Sequence, residues 1–265
     1  MKLSSDSITN AFNLRRFKEL VIQCIVSKDR INDIRETIGS YNNDFKLIYE
    51  ITDNDENNID GLLINLEDLN SEDLITIEKY LISSKKSKEI ILDLCGINKS
   101  RDNRELILSF INRYDIDIIK GTKEEVFSLI SGQKYYKTLL DDKYRDFSRK
   151  NDTILIIEDK NYWITDGYSE FTIDIEYDLL DDKKFEDILI GLIVATTAFC
   201  DNKEQRVEAI LLAITIFEIS KRLSLQRIKI DGAEENIKKY LLQNIACLNS
   251  EDIYRLSNIR YRFKR

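Results

Sequence analysis

Residues 118–132 read IIKGTKEEVFSLISG. An apolar run meets a lysine and a glycine, and a charged stretch with apolar residues at Val126, Leu129 and Ile130 follows at once. Spacings of three and four put those side chains on one face of a helix. Thr122 can cap that helix, and Glu125, three residues on, completes a capping box. The stretch therefore predicts a strand that turns directly into a helix. Such a turn can deliver a helix N-terminus to a phosphate, and it is also the ordinary way a strand passes to its covering helix.

The same alternation recurs on either side. Apolar, β-rich runs lie at 45–51, 61–66, 89–95, 116–120 and 153–158, and helical patterns at 71–84, 102–113, 122–131 and 135–149 fall between most of them. Strand runs this apolar, separated by helices, imply a parallel sheet covered on both faces. After Thr153, TILIIE, NYWIT and EFTIDI follow one another with short polar gaps, which predicts an antiparallel edge. The remainder reads as helix at 185–199, 204–221, 233–246 and about 250–257. The first of these is apolar nearly all round and is expected in the core. With no linker-like stretch and no internal repeat, a single domain over 1–265 is expected.

Composition narrows the chemistry. The 265 residues carry a net charge of −8, which argues against nucleic acid as a general partner. The basic end, Arg260, Arg262, Lys264 and Arg265, reads as a solvated terminus. The chain has no histidine, so His-based triads, His metal sites and His acid–base schemes are excluded. Its eight glycines include no GxG pair, so a Walker A loop and a dinucleotide fingerprint are absent. Cys24, Cys95, Cys200 and Cys247 show no CxxC spacing, and the first three sit in apolar runs where a thiol acts as a small hydrophobe. No apolar signal core opens the sequence, and the apolar stretch 188–200 is too short to span a bilayer. The expectation is a cytoplasmic protein with no membrane partner.

Taken in order, several segments resemble hydroxyethylthiazole kinase, a thiamine-salvage family of the ribokinase-like superfamily. Ile8, Thr9 and Asn10 repeat the ITN that opens the family's first helix; DGLLINL at 60–66 is similar to its LLINLGTL strand, and ILDLCG at 91–96 to VLDPVG. IIKGTKEEVFSLISG resembles IRGNxSEIxxLxG, and NYWITDG resembles DYVTDG. The matches are collinear from about residue 8 to the final helices. The resemblance implies a three-layer α/β/α fold with a central, mostly parallel sheet and a helical C-terminal part, usually assembled as a homotrimer. It also implies transfer of the ATP γ-phosphoryl, with Mg²⁺, to the alcohol of 5-(2-hydroxyethyl)-4-methylthiazole.

Carried over by position, the resemblance places Asp93 and Glu125 near Mg²⁺, where carboxylate oxygens suit a hard cation. It places Lys120, Thr122 and Glu158 at ATP, Asn10 and Arg30 at the thiazole, and Asp187 at the catalytic base. Read on their own, Glu125 is equally a capping-box residue and Asp93 equally a strand terminus. Four positions depart from the family pattern. Lys120 stands for an arginine and loses the bidentate fork. Glu158 stands for a threonine and sets an anion beside polyphosphate. Arg30 stands for a methionine. Finally, Lys183, Lys184, Phe185, Glu186 and Asp187 replace the TGTGC segment, whose backbone N–H groups stabilise the transferring phosphoryl; loss of one such donor typically costs about 10²–10³ in rate. The acids here also suit a helix N-terminus electrostatically. Three functions stay open: phosphoryl transfer to the thiazole alcohol, a non-catalytic binding or regulatory paralogue that has lost ATP binding, or a ribokinase-like enzyme with a changed substrate whose anionic group pairs with Arg30.

Overall fold

The computed structural model describes residues 19–49, 59–67, 71–83, 89–97, 101–131, 140–175, 185–257 and 259–262. In chain order its first elements are β1 (Leu20–Ile25), α1 (Lys28–Tyr41), β2 (Phe45–Ile48), β3 (Gly61–Asn65) and α2 (Ser71–Ser83). Then come β4 (Ile90–Asp93), α3 (Arg101–Arg113), β5 (Ile118–Thr122), α4 (Lys123–Ser131) and α5 (Leu140–Lys150). Three strands follow: β6 (Ile154–Glu158), β7 (Asn161–Thr165) and β8 (Glu170–Asp174). The last part holds α6 (Glu186–Thr197), α7 (Lys203–Asp231), α8 (Ile237–Cys247), α9 (Ser250–Leu256) and β9 (Ile259–Arg262). The strand order in the sheet is β2-β1-β3-β4-β5-β6-β7-β8-β9.

The chain forms two compact units. One comprises Gln23–Ser27, Ile48–Thr172 and Arg262–Arg265, the other Met1–Ile22, Lys28–Leu47 and Ile173–Tyr261. In the first unit β3, β4, β5 and β6 pair in parallel, and β6 turns back antiparallel on β7. The expected parallel core with an antiparallel edge is therefore present. All five residues of β3 are buried, as are the first four of both β5 and β6. That is why β3 and β6 read as nearly continuous apolar runs rather than alternating ones, while β5 buries Lys120 as well. Cys24 is buried here, and burial pushes its thiol up to about 12. It packs as the small hydrophobe the sequence suggests.

The strand-to-helix turn at 118–131 forms as read, including the reciprocal capping box. The Thr122 N–H donates to Glu125 Oε2 at 2.9 Å, and the Glu125 N–H donates to Thr122 Oγ1 at 3.3 Å. The second Glu125 oxygen accepts the Gly96 N–H at 2.9 Å. One carboxylate thus ties the start of α4 to the chain leaving β4.

In the second unit every residue of α6 from Ile188 to Thr197 is buried, in keeping with its all-round apolar sequence. Helix α1 packs beside it. A Cβ on Gly191 would lie 3.1 Å from Thr37 Cβ and 3.3 Å from the Ile34 carbonyl oxygen, so the missing side chain permits the contact. Arg30 near the start of α1 pairs with Asp187 near the start of α6, one to two turns before the Gly191 contact. The two helices therefore run in the same direction, with both N-termini at one end.

Four elements differ from the sequence reading. Strand β1 and helix α1 are not separated as elements in that reading, although LVIQCIV is an apolar run and Ile31, Ile34 and Ile38 recur at helical spacing. Helix α7 was expected to stop near 221 and runs ten residues further, because 222–231 holds no helix breaker. It ends at Gly232, whose φ of +69° supplies the left-handed cap. Its other end is fixed by Asn202, which accepts the Gln205 N–H at 3.0 Å, a cap worth about 1 kcal/mol. Ile259–Arg262 form β9, with Ile259 buried; Arg260 stays mostly exposed, 2.6 Å from Asp174, and Lys264 and Arg265 lie outside the described residues.

Candidate functional site

The first unit brings together five sequence-derived residues at the carboxyl ends of β4, β5 and β6, where open α/β sheets bind ligands. Parallel register sets Asn65 beside Asp93, Asp93 beside Lys120, and Thr122 beside Glu158. Asn65, Asp93 and Lys120 are all buried at 2% exposure or less. Burial of that depth requires partners, and each group has them. Asn65 Nδ2 donates to Asp93 Oδ2 at 2.7 Å, while Asn65 Oδ1 accepts the Glu67 N–H at 2.9 Å. The Lys120 ammonium lies 3.5 Å from Glu158 Oε2, an ion-pair distance without a hydrogen bond to that oxygen. One step outward, Lys123 Nζ sits 2.6 Å from Asp159 Oδ2, both side chains being two-fifths exposed. Gly121 lies between the lysines, and a Cβ there would meet Leu94 Cβ at 3.1 Å.

The second unit holds the other two described candidates. Arg30 Nε donates to Asp187 Oδ1. Asp187 suits the positive N-terminal end of α6, whereas Arg30 sits unfavourably at that of α1; their pairing offsets the second effect. Phe185, at the position corresponding to the family's glycine-bearing segment, is the N-cap of α6 and is buried at 4% exposure, with no side-chain capping bond. Asn10, Lys183 and Lys184 lie outside the described residues. A groove of about 410 Å³ lined by Glu36, Ser40, Lys238, Leu242 and Gln243 contains none of the candidates.

These residues poorly fit a Mg²⁺–polyphosphate group. Both Glu125 oxygens already hold backbone N–H groups, and a carboxylate already stands at the Lys120 ammonium. Among the described residues no three Asp, Glu or Cys side chains gather as a metal-binding group. Sequence reasoning missed Asn65, Lys123 and Asp159. Their signals were an asparagine closing an apolar strand, and lysines three apart facing tandem acids across a strand pair.

No protein-family model matches the sequence, and no curated protein does. Solved structures do match. Hydroxyethylthiazole kinase from Pyrococcus horikoshii OT3 superposes with a TM-score of 0.78 over 98% of this chain and 100% of that one, at 15% identity. The fold is ribokinase-like. Pyridoxal kinase from Staphylococcus aureus, in complex with pyridoxal, superposes at 0.58 over 77% of this chain and 87% of its own, with 10% identity. A ribokinase-like superfamily protein from Enterococcus faecalis V583 gives 0.57 over 91% and 96%, with 13% identity. At these identities the likeness establishes the three-layer kinase-like fold expected from the sequence, and nothing finer. No helix among the described residues is long and apolar enough to cross a membrane.

Proposed function

We propose that this chain is a hydroxyethylthiazole kinase-like protein that has kept the ribokinase-like fold and lost phosphoryl transfer, acting as a binding or regulatory paralogue. One observation carries the proposal: each described candidate for phosphate, metal or base is engaged by another group of the chain. Lys120 faces Glu158, Asp187 faces Arg30, Asp93 faces Asn65, and Glu125 holds two backbone N–H groups. An ATP phosphate approaching Lys120 would meet the Glu158 carboxylate, and an alcohol approaching Asp187 would have to displace a guanidinium. Phe185 adds a side chain where a close backbone approach to phosphate needs glycine. Assembly as a cytoplasmic homotrimer belongs to the same proposal, supported by the family resemblance, and light scattering on the 31.2 kDa chain reads it directly.

The test is calorimetric titration with Mg–ATP, together with transfer of labelled phosphate to 5-(2-hydroxyethyl)-4-methylthiazole. Neither binding nor turnover is expected. Micromolar affinity for Mg–ATP would overturn the proposal. A second reading, an active thiazole-alcohol kinase using ATP and Mg²⁺, is favoured by the register that sets Asp93 beside Lys120 at the strand ends. Turnover abolished by Asp187→Asn would establish it.

A further inference from the structure

Four residues, Lys120-Gly121-Thr122-Lys123, make the turn from β5 into α4. The segment sets two ammonium groups at the carboxyl end of a parallel strand, and ammonium groups suit phosphate oxygens, while the Gly121 backbone is held in the ladder beside Ile157. The chain supplies its own anions to them. Glu158 meets Lys120, Asp159 meets Lys123, and Glu125 takes the Thr122 N–H. Glu125 is part of the helix cap, so helix formation alone accounts for it. Glu158 closes β6 opposite Tyr162 and Asp159 opens the turn into β7, its N–H donating to the Asn161 carbonyl at 3.1 Å, but neither placement requires a carboxylate that faces a lysine. The Thr122–Glu158 register brings Glu158 to the lysine-bearing strand, and Asp159, the first residue past β6, reaches Lys123 by its own ion pair.

The pairs differ in exposure. The Lys120 and Glu158 side chains are 3% and 11% exposed, so water screens that couple little, while Lys123 and Asp159 are each 41% exposed and lie open to a solute. The outer pair is therefore the easier of the two to displace, and the inner one holds the buried ammonium when nothing else is bound.

We infer that Glu158 and Asp159 form an autoinhibitory anion clamp: they occupy Lys120 and Lys123, and a polyphosphate reaches the β5–α4 turn only by displacing them. This rests on the proposed loss of ATP binding and gives its physical cause. It also makes the loss reversible by removing negative charge.

The test uses the full chain and sodium tripolyphosphate, titrated calorimetrically into wild type, D159N, E158Q and E158Q/D159N. Wild type is expected to give no heat of binding at millimolar probe. E158Q/D159N is expected to bind at least about tenfold more tightly than the wild-type limit, as when charge-assisted hydrogen bonds are regained. D159N, changed only at an exposed position and expected to fold, should show a smaller gain in the same direction. Adding K120M to E158Q/D159N should abolish the gain, and that variant carries no unmatched buried ammonium. The inference is overturned if D159N and the double variant, folded by circular dichroism, bind no better than wild type, or if K120M leaves the gain intact. Tight binding by wild type overturns the proposed function as well, so the two failures are distinct.

Discussion

Asp187→Asn removes the carboxylate charge that meets Arg30 across the parallel α1–α6 pair. Deleting one partner of a buried ion pair costs about 3–5 kcal/mol, because the remaining charge stays desolvated. Arg30 is well buried, its side chain 10% exposed, but Asp187 stands nearer the rim at 19%. Asparagine also keeps one oxygen that can accept from Nε. Both facts place the expected loss below that range, at about 2–3 kcal/mol. In a chain of this size each kcal/mol moves Tm by about 2–4 °C, so D187N should melt about 4–12 °C below wild type. R30M alone should cost a comparable amount. The double variant R30M/D187N replaces the pair with an uncharged couple and should lie above the sum of the singles by at least about 1 kcal/mol. Scanning calorimetry of the four proteins closes the cycle. A D187N melting point within about 1 °C of wild type, or strictly additive singles, would refute the reasoning.

Two further outcomes follow from other contacts. Gly191→Ala gains about 1 kcal/mol of helix propensity, but it sets a methyl 3.1 Å from Thr37 Cβ at a cost of about 1–3 kcal/mol, so a net loss is expected. Adding Thr37→Ala should recover part of the lost Tm, and equal Tm values for the single and the double variant would count against the helix contact. The Tyr240 hydroxyl donates to Asp231 at 2.6 Å; this bond, with the Ala233 N–H, lowers the Asp231 pKa, and the same bond raises that of Tyr240. The lowered carboxyl contributes stability that is present at neutral pH and lost as pH falls through its folded pKa. The raised phenol contributes stability that is present below about pH 10 and lost as pH rises beyond it. Tyr240→Phe should therefore flatten both limbs of a Tm–pH profile, and an unchanged profile would exclude the bond.

The fold was legible where a local pattern and the tertiary structure demand the same residues. GLLIN and ILIIE are mostly apolar without alternation because they are buried on both sides, and Thr122 with Glu125 specifies a cap that needs no distant partner. Helix α1 has Ile31, Ile34 and Ile38 at helical spacing, but its packing was not legible, since Arg30 and Thr37 are buried yet polar and their burial depends on Asp187 and Gly191 more than 150 residues away. The site was legible only as a set of positions. Which side chain faces which is decided by strand register: nothing local in Glu158 or Asp159 shows that they reach Lys120 and Lys123, because an offset of one residue would turn them to the opposite face. Collinear resemblance pointed to the ends of β4, β5 and β6, while the side-chain partners there depend on which residues this chain carries.

Glu125 has a dynamic consequence. Because its two oxygens hold the Gly96 and Thr122 N–H groups, the loops leaving β4 and β5 are clasped by one side chain. Neither amide can be released to solvent without straining the anchor of the other. Their hydrogen–deuterium exchange should therefore proceed through a shared opening, with similar protection and a common response to denaturant, so that two loops 26 residues apart in sequence behave as one cooperative element.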